Sequence, residues 1–95
     1  MHLIWLPEAR EDLERLFLFL LDKNQSPAEK MIRRVQQGTQ TLLELPEIGK
    51  PMMDDTDRRE LYLPFGNGFY VLRYRIHKKT IVIIRVWHGK ESRNT

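Results

Sequence analysis

Ninety-five residues, no cysteine and a net charge of +3 leave room for a single domain, residues 1–95, and exclude a disulfide framework or a thiol nucleophile. The longest apolar run, Leu16 to Leu21, is far below the ~20 residues that span a bilayer, so no membrane partner is expected. The opening MHLIWLPEAR lacks the basic and then apolar regions of a secretory leader, and a reducing cytoplasm is the expected location.

HLIWL (2–6) is short and apolar and is predicted to be a strand. Pro7 suits the first turn of a helix, where Glu8, Glu11 and Asp12 favour the positive end of the dipole. Ala9, Leu13, Leu16, Phe17, Leu20 and Leu21 then fall on one helical face. Leu18 and Phe19 lie off that stripe, so they are either covered by a second element or left for a partner. SPAE (26–29) predicts the next helix start: Ser26 as cap, Pro27 in the first position, Glu29 closing a capping box. Ala28, Met31, Ile32, Val35, Gly38, Thr39 and Leu42 make its apolar stripe. Gly38 costs about 1 kcal/mol of helix propensity against alanine, which a close approach of the first helix would explain. Pro46 ends the helix, and the short loop between the two predicts an antiparallel hairpin.

PEIGKPMMDDTD (46–57) reads as an irregular connection, after which the apolar period changes to two. RRELYL (58–63), FYVLRYRI (69–76) and IVIIRVW (81–87) are predicted to form a three-stranded antiparallel meander. In the middle strand Tyr70, Leu72, Tyr74 and Ile76 share one face, and Val71, Arg73 and Arg75 the other. In the last strand Val82, Ile84 and Val86 alternate with Ile81, Ile83, Arg85 and Trp87. The expected architecture is therefore α+β in the order β-α-α-β-β-β. The helical hairpin covers one face of a small, mainly antiparallel sheet. Charge is uneven along the chain. Residues 1–57 carry seven Lys/Arg against eleven Asp/Glu, residues 58–95 nine against two. The second part should present a positive surface, with Arg73, Arg75 and Arg85 on the open sheet face, extended by Trp87 and Lys90.

The order and spacing of WLPEAREDLERL, LLELPEIGKP, RRELYL, YVLRYRI and IIRVWHGKES resemble the ParE branch of the RelE/ParE superfamily, the toxins of type II toxin–antitoxin pairs. The resemblance covers nearly the whole chain, and that family's fold is the one the periodicity predicts. It implies a cytoplasmic bacterial poison held inactive by a cognate antitoxin protein, with operator DNA met only through the antitoxin. Two modes of action compete within the superfamily. ParE-like members poison DNA gyrase by binding; RelE-like members cleave mRNA on the ribosome.

Ribonucleolytic cleavage needs groups that activate the ribose 2′-hydroxyl, stabilise a charged phosphorane and protonate the leaving oxygen. The lysines that RelE carries on its second strand have no counterpart in Glu60-Leu61-Tyr62-Leu63. Val71 stands nearest its third-strand arginine. After the last strand come His88, Lys90 and Arg93, and no tyrosine. A different nuclease set, Glu60 with Arg73 or Arg85 and His88, is the alternative. The favoured reading has no catalytic residues. Arg73, Arg75, Arg85, Trp87 and Lys90 contact a target, gyrase ahead of ribosome and mRNA, and Leu18 and Phe19 contact the antitoxin. A non-toxic basic binding module is the third reading. His88 alternates to the Val86 side and reads as a residue of the core margin. His2 and His77 have no partner at ligand spacing, so neither metal nor cofactor is expected.

Overall fold

The computed structural model describes residues 1–91; Arg93 and the end of the VWHGKES stretch lie outside them. The chain runs β1 (His2–Trp5), α1 (Pro7–Lys23), α2 (Gln25–Glu44), β2 (Lys50–Pro51), β3 (Arg59–Phe65), β4 (Gly68–His77) and β5 (Thr80–His88). The strands form one sheet in the order β1-β5-β4-β3-β2, with β1 parallel to β5 and every other pairing antiparallel. The predicted α+β class and element order hold. The first strand joins the sheet beside the last, which no local pattern could specify.

Pro7 occupies the first turn of α1, as its missing N–H allows. The start of α2 is displaced by two residues from the expected cap. Asn24, not Ser26, is the N-cap, and its Oδ1 accepts the Ser26 N–H at 3.0 Å. Glu29 accepts from the Gln25 side chain instead of closing a box on Ser26. The stretch 46–57 is also more regular than expected, since Lys50 and Pro51 pair with Glu60 and Arg59.

The core lies between the hairpin and one face of the sheet. Ala9, Leu16, Met31, Val35 and Leu42 from the helices meet Leu63, Tyr70, Leu72, Tyr74, Ile81, Ile83 and Val86. Gly38 is explained by the sheet and not by α1. A Cβ there would stand 2.8 Å from both methyls of Leu63 and 3.3 Å from Leu72.

The alternation expected for β5 fails at one point. Arg73 pairs with Arg85, but the next residue, Tyr74, pairs with Ile83. Ile84 is therefore an extra residue, a β-bulge. Below it Ile81 and Ile83 face the helices, fully buried; above it Val86 does. Of the predicted inner set of Val82, Ile84 and Val86 only Val86 is thus right, because one inserted residue flips every side chain before it.

Candidate functional site

The five residues expected to line an open positive face are not five free groups. Arg73 is buried at 7% exposure. Its Nε and Nη2 both donate to Glu60 Oε2, at 3.0 and 2.8 Å. Its guanidinium also lies 4.8 Å from the centre of the Trp87 ring, a cation–π contact. Trp87 is itself only 8% exposed, so the expectation of an exposed aromatic anchor is corrected. Val71, which pairs with Trp87, is buried too. A sheet face away from the helices stays dry here because a charged pair and an indole cover it, which costs less than burying an unpaired arginine.

Arg85 leaves Arg73 altogether. Its Nε and Nη2 donate to the two oxygens of Asp12 on α1, at 2.7 and 3.0 Å. The same carboxylate accepts the Val86 N–H at 3.0 Å. β1 ends at Trp5, opposite Ile83, so among the described residues no strand meets Val86 on that side, and Asp12 supplies the acceptor that buried backbone requires. Burial pushes the Asp12 carboxyl up. The Arg85 and Val86 hydrogen bonds, the Arg85 charge and the Arg15 hydrogen bond outweigh it, and the group ends below its ordinary 3.8. Asp12 falls on the apolar stripe between Ala9 and Leu16. That carboxylate on a buried face was the available signal, and reading it as a dipole residue missed its role.

Arg75 is 3.9 Å from Asp57, an exposed and loose pair. Lys90 is exposed, and its N–H donates to His88 Nδ1 at 3.1 Å. That bond leaves Nε2 to carry the proton of the neutral ring. His88 packs edge-on against Tyr70, 5.1 Å between ring centres, on the helix side of the sheet, at the core margin where the alternation put it. Glu91 ties down the chain beyond β5. It accepts the His88 N–H at 2.8 Å and pairs with Arg15 of α1.

The alternative nuclease set does not come together. Glu60 and Arg73 face away from the helices, His88 faces towards them, and Arg85 is clamped to α1. The Glu60 carboxylate is occupied by Arg73 and by the Tyr62 hydroxyl at 3.3 Å. Burial and the Glu60 charge raise the Tyr62 phenol above its ordinary value, so it stays protonated and is a poor base. Among the described residues no group of three His, Cys, Asp or Glu could hold a metal ion, and no helix is long and apolar enough to cross a membrane.

Leu18 and Phe19 are 53% and 62% exposed, covered by neither α2 nor the sheet. Phe19 carries Lys23 over its ring at 4.9 Å. It also borders a cleft of about 530 Å³ between α1 and the β4–β5 end, lined by Leu20, Phe65, Tyr70 and His88.

Residues 3–93 match the family described as the ParE toxin of the type II toxin–antitoxin system parDE. The chain is 32% identical over 85 residues to toxin RelE1 of Caulobacter vibrioides, covering 90% of this chain and 89% of that one. It is 34% identical over 87 residues to toxin RelE3 of the same organism, covering 92% of each. A solved structure, the chromosomal ParDE toxin–antitoxin system from P. aeruginosa, superposes with a TM-score of 0.73 over 93% of this chain and 95% of that chain. At 20% identity that likeness concerns the fold. With nine-tenths of the chain matched in sequence and the predicted architecture found, the protein belongs to the ParE toxin family of type II toxin–antitoxin systems, and a cognate antitoxin is implied.

Proposed function

We propose that this toxin acts by binding, poisoning DNA gyrase and so blocking replication, and that its cognate antitoxin neutralises it. The observation that carries the reading is the division of the nuclease candidates across the sheet, with Glu60 and Arg73 neutralising each other on one face and His88 packed on the other. A general acid, a general base and a phosphate-binding cation must converge within hydrogen-bond reach of one phosphate, and these do not. The target-contacting surface comprises Arg75 and Lys90. Arg73 and Trp87 hold the sheet face beside Arg75 in shape, and Lys90 stands at the rim of the cleft between α1 and the β4–β5 end. Long-range attraction to an acidic protein surface or to the DNA held by the enzyme steers the encounter, which weakens with salt. The names of the two Caulobacter relatives carry the rival reading, ribosome-dependent mRNA cleavage.

The test measures supercoiling by purified gyrase and cleavage of ribosome-bound mRNA with the same toxin preparation. The expected result is inhibited supercoiling, reduced about tenfold or more in potency by the double variant Arg75→Ala/Lys90→Ala, with His88→Ala close to wild type. Codon-phased mRNA cleavage that disappears in His88→Ala, with gyrase unaffected, overturns the proposal. Arg85→Ala is a poor probe of toxicity. It strips the buried Asp12 of its main partner and costs about 1–3 kcal/mol of stability, unlike an ordinary surface change.

A further inference from the structure

An open cleft of about 500 Å³ lies at the opposite end of the molecule from His88, where α2 ends. Leu45, Ile48 and Ile76 line it together with Met1, Glu44 and Glu47. Its apolar residues are poorly covered: Leu45 is 55% and Ile48 49% exposed. One rim is negative. Glu44 and Glu47 stand at the C-terminus of α2, the negative end of its dipole, and the last turn of that helix holds no basic residue. On that side the guanidinium of Arg59 donates to the Glu47 and Gly49 carbonyls. The other rim is positive. The β4–β5 turn follows Ile76 directly with His77, Lys78 and Lys79, and it adjoins β1 through the His2 N–H to Lys79 carbonyl bond at 2.9 Å. Among the described residues neither lysine ammonium has a salt bridge.

We infer that this patch is a two-fold interface between copies of the toxin. A closed dimer places the same patch on both sides, so the patch must complement itself. Apolar residues between an acidic rim and a basic rim do so. A two-fold rotation through the cleft sets Glu44 and Glu47 of one copy against Lys78 and Lys79 of the other, twice, over Leu45, Ile48 and Ile76. Exposed apolar residues flanked by opposite charges are also unlike a solvated surface, where such residues occur singly. The small area points to a dimer that forms at raised concentration and loosens with salt, because much of its specificity is electrostatic.

The test is charge exchange, read by sedimentation velocity on toxin freed from antitoxin. Wild type should dimerise as concentration rises, at least tenfold more weakly in high salt than in low salt. Glu44→Lys/Glu47→Lys should be monomeric, its two rims now both positive. Lys78→Glu/Lys79→Glu should be monomeric, its rims both negative. The two variants mixed should form a heterodimer, since every rim then meets its opposite. Circular dichroism confirms that each variant is folded, as expected for exposed positions. Wild type that stays monomeric throughout overturns the inference, and so does a dimer that survives both charge reversals. A patch protected only when antitoxin is present, with no change in toxin self-association, overturns it in favour of an antitoxin contact. None of these readings depends on whether gyrase or the ribosome is the target.

Discussion

Two buried polar side chains do more for this fold than their residue types suggest. Asp12 joins α1 to the end of β5 by satisfying both a guanidinium and an orphan backbone N–H. Its carboxyl is held below the ordinary value despite burial, so it binds its proton less readily in the folded state than in the unfolded one. The stability it contributes is therefore complete above pH 3.8 and is lost as pH falls below that. Asp12→Asn should lower stability by about 1–3 kcal/mol near neutrality and flatten this part of the acid profile. Thermal midpoints from pH 6 to pH 2.5 for both proteins check it. Tyr74 is the second case. Fully buried, its hydroxyl donates to the Pro46 carbonyl at 2.7 Å and accepts from the Gly49 N–H at 2.8 Å. Burial foremost raises its phenol above the ordinary value, and the proton stays on the oxygen that must donate. Tyr74→Phe leaves two backbone groups without that partner and should cost about 1–3 kcal/mol in urea unfolding, a loss centred on the 46–49 connection.

At the level of elements, α2 crosses the sheet at Gly38, and no side chain fits there. A Cβ meets Leu63 methyls that are themselves locked in the core. Gly38→Val should destabilise by about 1–3 kcal/mol through overpacking. An unfolding curve would show it, whereas a helix-propensity argument alone predicts a gain. The opposite situation holds on the outer side of α1. Leu18 and Phe19 contribute little to the toxin's own core, yet they form an apolar surface beside the Phe19–His88 cleft. On the reading that the antitoxin docks there as a segment that folds on binding, Leu18→Asp/Phe19→Asp should unfold at nearly the wild-type temperature. It should bind antitoxin at least a hundredfold more weakly in calorimetry. Unchanged binding removes these residues from the contact.

Across the whole molecule, the fold absorbs part of the excess of positive charge in the second part of the chain. Arg73 takes Glu60, Arg85 takes an acid from α1, and Arg59 takes carbonyls from the loop after α2. On the proposed reading Arg75, on the sheet face beside Arg73, and Lys90, at the rim of the cleft beside His88, are left for the target, and Lys78 and Lys79 for the second copy. On that reading substitutions at Arg75 and Lys90 should separate toxicity from stability, which substitutions at Arg73 or Arg85 should not. The parallel pairing of β1 with β5 ties the first strand to the last, and the Glu91 contacts continue that closure past the end of β5.

The element order, the amphipathic faces of both helices, the meander and the family were all legible in the chain, because each rests on local periodicity or on motif spacing. The stripe left Leu18 and Phe19 off the apolar face, and the structure decided that no second element covers them. Besides the pairing of β1 with β5, the short β2 and the Asn24 cap, two things were not legible. The bulge at Ile84 carries no residue-type signal in a run of aliphatic residues, yet it decides which isoleucines enter the core. The partner of each arginine was equally hidden. Alternation places a guanidinium on a face but says nothing of the carboxylate that a long, flexible side chain finds thirteen residues away in Glu60, or seventy-three away in Asp12. Periodicity sets where side chains start; only the packing of α1 on β5 and of β3 on β4 determines where their charges end.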